Sequence, residues 1–190
     1  MNLLRQTIMC LLILTVITGV VYPLVVTGIA QLIFPHQANG SIVFKDSDAV
    51  GSSLIGQQFD NPKYFWSRLS ATSPMPYNGA NSSGSNMGPL NPVLTDNIKA
   101  RVAALQSYEP ANKTMVPVDL ATSSGSGLDP DISLAAANYQ ISRVAKARNI
   151  NEIEVKKLVV KYSKGRQLGV LGEPRINVLE LNLALDILEK

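Results

Sequence analysis

The longest uncharged run of the chain lies near its N-terminus, and it constrains the fold more than any other feature. No Asp, Glu, Lys or Arg occurs from Gln6 to Phe44. Within this run Ile8–Phe34 is almost wholly apolar, and it is longer than the about 20 residues that cross the core of a bilayer as a helix. We therefore predict a transmembrane helix over residues 7–34.

Two other interpretations of this segment remain open. A cleavable signal peptide has an apolar core of only about 7–15 residues, so this run is too long for one, although Gly28–Ala30 would serve as a cleavage signature. A buried helix of a soluble protein is rarely so free of polar side chains. We favour a retained helix between a short N-terminus, residues 1–6, and a soluble domain, residues 35–190.

The orientation of the helix follows from the basic residues beside it, because cytoplasmic flanks carry an excess of Lys and Arg. Arg5 precedes the helix without any acid, whereas Lys45 lies well beyond it and is followed by Asp46 and Asp48. We therefore expect residues 1–6 in the cytoplasm, the helix in the cell inner membrane, and the domain in a periplasmic or extracellular position.

Small or kinking residues recur every four positions along the predicted helix. Such a stripe lets the backbone of a partner helix approach closely, which is the usual basis of helix association in lipid. The alternative is that threonine and glycine are common in membrane helices and that the proline only bends this one. We predict that the stripe packs against a partner helix, through Thr15, Gly19, Pro23 and Thr27.

The rest of the chain predicts an α+β fold, a small mixed domain of short strands and capped helices. Extended segments are expected at Ser41–Phe44, at Gly51–Phe59 as a strand followed by a turn, and at Pro117–Thr122. Helix starts are marked by capping residues. The four predicted helices begin after Asn91, with Pro92 first and Pro110 beyond the end; after Ser133, running to about Arg148; after Asn151, with Glu154 completing a capping box and the end near Gly165; and after Asn177, with Glu180 in the same role.

The segment from Ser70 to Thr95 has many Pro, Gly, Asn and Ser residues and no charge. Disordered linkers are normally rich in charge, whereas Asn and Ser side chains can order a loop by bonding to its own backbone. A docking loop and a merely structural loop are both open. We predict that it docks on a partner rather than closing on its own domain, with Arg68, Ser70, Asn78, Asn86 and Asn91 as the candidate contacts.

Several kinds of chemistry are missing from the sequence. The one histidine, His36, stands at the membrane boundary, which excludes a Ser-His-Asp triad and a multi-histidine metal site. Thr122–Gly127 superficially resembles a phosphate loop but lacks the lysine, so a turn is favoured. Asp129 and Asp131 could bind a cation, yet acids before a helix are more often capping groups. We expect neither an independent enzyme nor a directly bound cofactor.

The charge of the chain is mildly basic, with a formal net charge of +3. The sequence has no long basic stripe interleaved with aromatic residues, so nucleic-acid binding is not indicated. The single cysteine lies in the apolar segment, so the soluble part can form no disulfide. Basic residues between Arg143 and Arg166 predict a solvated helix face, with an acidic partner or lipid headgroups as the alternative; they are Arg143, Lys146, Arg148, Lys156, Lys157, Lys161, Lys164 and Arg166.

Blocks of sequence along nearly the whole chain resemble one known family. One apolar helix is followed by these blocks in family order, and together they resemble the C subunit of the bacterial Kdp potassium-transporting P-type ATPase, the KdpC family. One departure is visible at residues 67–71, where the family typically has Gly-Arg-Pro-Ser-Ala and this chain has Ser-Arg-Leu-Ser-Ala, which puts the local loop shape in doubt. The blocks are GSSLIGQQF at 51–59, YFWSRLSATSPMPYN at 64–78, GSNMGPLNP at 84–92, SGSGLDPDIS at 124–133, RVAKARNI at 143–150 and NVLELNLALD at 177–186.

The resemblance implies a non-catalytic subunit of an inner-membrane potassium import complex. Its implied partners are a potassium-channel-like subunit and a subunit that hydrolyses ATP through an aspartyl-phosphate, so ATP enters through the complex. The resemblance also implies a catalytic chaperone that raises the ATP affinity of the hydrolysing subunit. With the domain outside the cytoplasm, such an effect has to pass through the membrane parts. The alternative is a membrane-anchored solute-binding or sensor module that acts alone.

Overall fold

The computed structural model describes residues 2–188, which divide into two units between Val50 and Gly51. The first unit opens with one helical rod, formed by α1 (Leu3–Val16), a π-helical turn (Ile17–Val21) and α2 (Tyr22–Ile33). The rod has 31 residues, its most apolar 18-residue stretch has a mean hydropathy of 2.5, and none of that stretch is buried, so it is long and apolar enough to cross a membrane. It begins four residues before the predicted start, and it includes Arg5.

The wide turn in this rod has a local cause at Pro23. Proline has no N–H to donate, and its ring clashes with the carbonyl group four residues earlier, which here belongs to Gly19. The π-helical turn contains Gly19 and ends directly before α2, whose second residue is Pro23. The helix therefore accommodates the proline by widening one turn rather than by breaking.

A short helix and a hairpin follow the rod. Pro35 opens α3 (Pro35–Ala38), and β1 (Ile42–Lys45) forms a two-stranded sheet with β2 (Asp48–Ser52). The two residues between the strands both have positive φ, Asp46 at 51° and Ser47 at 73°, as a tight hairpin turn requires. The first predicted strand is confirmed to within one residue. The second strand, β2, shares only Gly51 and Ser52 with the predicted segment Gly51–Phe59.

Within its described residues, 51–188, the second unit contains five helices and a three-stranded sheet. In the sheet, β5 (Arg175–Asn177) lies between β3 (Asp131–Ser133) and β4 (Ser163–Lys164), antiparallel to both, with Ile132 opposite Ile176. The α+β fold class is thus confirmed. The helices are α4 (Pro92–Tyr108), α5 (Val118–Ala121), α6 (Leu134–Arg148), α7 (Glu152–Tyr162) and α8 (Val178–Leu188).

All four predicted helix starts are confirmed, because each capping side chain accepts a hydrogen bond from a backbone N–H of the first turn. The α7 helix ends at Tyr162, slightly before the predicted Gly165. The four bonds run to Asn91 from Val93 at 3.0 Å, to Ser133 from Ala136 at 3.0 Å, to Asn151 from Ile153 at 2.8 Å, and to Asn177 from Glu180 at 3.0 Å.

The predicted strand at Pro117–Thr122 is wrong, because this segment forms the single turn of α5. A half-buried strand would bury alternate residues. Here the neighbours Leu120 and Ala121 are both buried while Val118 is 75% exposed. The carbonyl oxygen of Leu120 accepts a hydrogen bond from Arg101 on α4 at 3.1 Å, so packing against that helix sets the local conformation.

Candidate partner-binding surfaces

The small-residue stripe of the apolar rod is exposed at all four of its positions, Thr15, Gly19, Pro23 and Thr27. In a regular α-helix, 12 residues separate the first and last members by about 120° of rotation. The π-helical turn adds about one residue to a turn, which reduces this angle to about 20°. The widened turn thus brings Thr15 and Thr27 to nearly the same face of the rod.

The aromatic segment Tyr64–Trp66 lies at the centre of the second unit. Phe65 and Trp66 are 0% and 3% exposed. Two guanidinium groups lie over the Trp66 ring, that of Arg101 at 4.9 Å and that of Arg143 at 4.7 Å from its centroid. Such cation–π contacts are stronger when they are shielded from water, so this segment organises the core rather than a surface.

Two members of the basic stretch are internal, which corrects the expectation of a solvated face for them. Arg143 is 4% exposed and donates to the carbonyl oxygens of Pro62 and Tyr64, at 2.5 and 3.1 Å. Arg148 is 8% exposed and donates to Lys63 O at 2.6 Å. Burial lowers the pKa of Arg143 to about 10. Both arginines are buried and donate to backbone carbonyl groups of residues 62–64, a role that no local pattern indicates.

Arg68, the first candidate docking residue, is held by an ion pair within its own unit. Its guanidinium lies 2.8 Å from a carboxylate oxygen of Asp129, and its carbonyl oxygen accepts a hydrogen bond from the hydroxyl of Tyr77. The next residue, Leu69, forms a backbone bridge with Ser123 and accepts from Ser124 N at 3.1 Å. The chain is therefore extended at the position where it departs from the family pattern.

The first part of the neutral loop closes on its own unit, so the expectation that the loop avoids its own domain is wrong there. Ser70 Oγ donates to Gly127 O at 2.7 Å and accepts from Tyr77 N at 2.9 Å. Ser83 N donates to Ser126 O at 2.9 Å. Asn78 lies in the same cluster and donates to Ser73 O at 3.0 Å. The hydroxyl and amide groups that suggested docking instead hold the loop in place.

The turn at Thr122–Gly127 supports this closure. The carbonyl oxygens of Ser126 and Gly127 accept the bonds from the loop, whereas a phosphate-binding loop would direct backbone N–H groups inward. Gly127 has φ of 67°, and a side chain there would collide with the backbone of Ser83. The segment is a bent loop with a backbone bridge at Ser123.

The later part of the loop stays open and borders a groove. Asn86 is exposed with φ of 52°, and Leu90 is 96% exposed. Asn91 caps α4, so it lies at the far end of the segment. Of the five candidate docking residues, Arg68, Ser70 and Asn78 are brought together and the other two stand apart. The groove has a volume of about 590 Å³ and lies between this segment and α4, lined among others by Leu69, Met87, Leu94, Ile98 and Ala121.

Asp129 and Asp131 have internal partners. Asp131 lies 2.9 Å from the guanidinium of Arg175 across the sheet, and Asp129 accepts from Asp131 N at 3.0 Å in addition to its pair with Arg68. Burial raises the pKa of Asp131, and Arg175 only partly offsets this. In residues 2–188, no three His, Cys, Asp or Glu side chains come close enough to share a metal ion.

A second pocket of about 590 Å³ lies beside the end of α4. Its floor holds the buried carboxylate of Glu109, 3.3 Å from the ammonium of Lys146. The hydroxyl of Tyr139 is buried there without a hydrogen-bond partner in the described part of the chain, and burial and then Glu109 raise its pKa. No sequence pattern indicates this pocket, because Glu109 and Lys146 lie far apart along the chain.

The chain is similar to known proteins over almost its whole length. Residues 4–187 match the family model described as KdpC, the K+-transporting ATPase c chain. A potassium-transporting ATPase KdpC subunit of Burkholderia ambifaria is 60% identical over 185 residues, covering 97% of this chain and 96% of the relative. A KdpC subunit of Dechloromonas aromatica is 57% identical over 189 residues, covering 100% of this chain and 99% of the relative.

The chain belongs to the KdpC family.

KdpC membership extends over both units of the structure, because the match starts within α1 and ends within α8. The resemblance seen in the sequence is thereby confirmed. The matched range 4–187 includes the apolar rod as well as the α+β unit. The rod and the loop–groove surface are the candidate contact surfaces of this KdpC chain.

Proposed function

We propose that this chain is an accessory subunit of an ATP-driven potassium import complex and supplies no catalytic residues of its own. The observation that carries the proposal is the full-length match to KdpC subunits of potassium-transporting ATPases. Its partners in this proposal are the potassium-channel-like subunit and the ATP-hydrolysing subunit. The exposed rod contacts them within the membrane, and the open part of the neutral loop contacts them outside it.

The proposed topology places the N-terminus in the cytoplasm of a single-pass inner-membrane protein, and the α+β unit outside the cytoplasm. It is supported by Arg5 at the start of the rod and by the absence of Asp, Glu, Lys and Arg from Gln6 to Phe44. A reporter enzyme that is active only in the cytoplasm, fused to the C-terminus, should be silent. Strong reporter activity there would overturn the orientation.

The proposed effect on ATP is indirect. A domain outside the cytoplasm has no access to cytoplasmic ATP, so a catalytic chaperone of this topology acts through the membrane rod. Coupling between two separate sites typically changes affinity by about 5–150-fold. The KM for ATP of the hydrolysing subunit should therefore be lower by a factor in this range when the chain is present. An equal KM with and without the chain would overturn the coupling.

Purification in a mild detergent separates a subunit from a module that acts alone. The tagged full-length chain, co-expressed with the transport subunits, should retain them through two purification steps. An independent solute-binding or sensor module would elute without them, and this outcome would overturn the proposed function.

A further inference from the structure

A closed hairpin leads from β4 to β5 over residues 165–174. Gln167 and Leu171 exchange two backbone hydrogen bonds, at 2.8 and 2.9 Å. Below them, Arg166 Nη2 lies 2.8 Å from each carboxylate oxygen of Glu173. The backbone pair and the ion pair both connect the two arms of the hairpin, so contacts within the hairpin stabilise its conformation.

The end of this hairpin carries three large aliphatic side chains that the second unit leaves in solvent. Leu168 is 90% exposed, Val170 is 72% exposed and Leu171 is 55% exposed. We call these three residues the hairpin tip. Exposed aliphatic residues that stand singly are ordinary, whereas three within four residues at the end of one hairpin are typical of an interaction site.

The backbone of Leu168 is also unfavourable for its side chain. Its φ is 53°, in the left-handed region that glycine and asparagine adopt readily and that other residues rarely enter. A leucine at this position therefore gains neither burial nor a relaxed backbone from its own unit. Both costs are explained if the side chain is used in a contact outside the unit.

The charges beside the tip indicate the chemistry of its partner. The two charged groups of the hairpin, Arg166 and Glu173, neutralise each other, and the Glu173 side chain is 76% exposed. A surface that binds anionic lipid presents unpaired basic residues, which this hairpin does not. A neutral apolar projection fits an uncharged apolar pocket, and its closed conformation lowers the entropy lost on binding.

We infer that the hairpin tip inserts into an uncharged apolar pocket on another subunit of the potassium-transporting ATPase. The inference rests on the proposed function, since it requires that the chain is assembled with such subunits. It adds a third contact surface, separate in sequence from the membrane stripe and from the neutral loop.

The variant Leu168→Asn tests the inference because asparagine accepts the left-handed backbone and removes the aliphatic group. The tagged full-length variant is co-expressed with the transport subunits and compared with the wild type and with Met115→Asn, a matched change at a side chain that is 89% exposed outside the tip. We expect Leu168→Asn to lower the recovery of transport subunits about tenfold or more. Its thermal unfolding midpoint in detergent should equal or exceed that of the wild type, and Met115→Asn should assemble normally.

Each other outcome overturns the inference. If the wild-type chain retains the transport subunits and Leu168→Asn retains them equally well, the tip is not an assembly contact while the proposed function stands. If the wild-type chain alone is a dimer by light scattering and Leu168→Asn is a monomer, the tip binds a second copy. If the hairpin amides of the full chain alone, inserted in anionic liposomes, exchange slowly in the wild type and fast in Leu168→Asn, the tip binds lipid. Failure of the wild type to retain any subunit removes the proposed function and the inference together.

Discussion

Asn182 and Phe65 exchange two hydrogen bonds inside the second unit. Phe65 N–H donates to Asn182 Oδ1 at 2.8 Å, and Asn182 Nδ2 donates to the Phe65 carbonyl oxygen at 3.0 Å. In the same way, Trp66 N–H donates to Gln140 Oε1 at 2.8 Å, and Gln140 Nε2 donates to the Trp66 carbonyl oxygen at 3.2 Å. Buried backbone groups need partners, and these two helix side chains supply the bonds that a neighbouring strand would otherwise give to the aromatic segment.

Replacing Asn182 with leucine should therefore destabilise the second unit. The change leaves one buried N–H and one buried carbonyl group of Phe65 without partners, at about 1–3 kcal/mol each. We expect the free energy of unfolding to fall by about 2–6 kcal/mol. Trp66 is the only tryptophan and is buried, so its fluorescence during urea unfolding of the full chain in detergent reports the loss. Asn138→Leu, at an exposed position of α6, should change stability little; a similarly small effect of Asn182→Leu would contradict the prediction.

Replacing Asp131 with asparagine should change how stability depends on pH. Burial raises the pKa of Asp131 in the folded chain above its ordinary value of 3.8. The folded chain thus binds this proton more tightly than the unfolded chain, and the stability contributed by the protonated carboxyl is lost as the pH rises through the raised pKa. Asp131→Asn should equal the wild type in unfolding midpoint at about pH 3 and exceed it at about pH 7.

The control for this measurement is Asp96→Asn, which removes an exposed carboxylate from α4. Unfolding midpoints of all three chains are followed across the acidic range in the same detergent. A midpoint of Asp131→Asn below that of the wild type at neutral pH would show that the ion pair with Arg175 outweighs the cost of burial.

In the membrane rod, Gly19→Leu should weaken assembly without affecting insertion. No atom lies within 4 Å of the position that a Cβ would take at Gly19, so the isolated rod can accept the larger side chain. Against a closely packed partner helix, the added bulk would force the backbones apart. Val20→Leu, which adds bulk on a neighbouring face, serves as the control. Equal recovery of the transport subunits with both variants would remove the stripe as a contact.

The neutral loop should show two different rates of amide hydrogen exchange in the full chain on its own. Tyr77, Asn78 and Ser83 donate their backbone N–H groups to Ser70 Oγ, Thr72 Oγ1 and Ser126 O, so these three amides should exchange slowly. The backbone N–H groups of Asn86 and Met87 donate to no other residue in the described range 2–188. These two amides should therefore exchange fast.

Assembly with the transport subunits should slow only the second group, because these amides become shielded if the open part of the loop docks. The helices that begin after Asn91 and Ser133 provide slowly exchanging references in both states. Fast exchange at Asn86 and Met87 in the assembled complex would mean that this part of the loop is not a contact.

Features that depend on neighbouring residues could be predicted from the sequence. The apolar rod follows from composition and length alone, because an uninterrupted run of more than about 20 apolar residues is long enough to cross a bilayer as a helix. The helix starts at Asn91, Ser133, Asn151 and Asn177 follow from bonds that span two or three residues. A cap of this kind forms wherever its side chain meets the first turn, so the sequence by itself specifies the position.

Features that depend on distant residues were decided by the tertiary structure. Asn182 bonds to a residue 117 positions away and Gln140 to one 74 positions away, while Arg143 and Arg148 are buried despite lying in a basic stretch. No local pattern separates these side chains from solvated ones. Their burial is favourable because residues 62–66 present backbone groups at the places that they reach, and the folded chain alone creates those places.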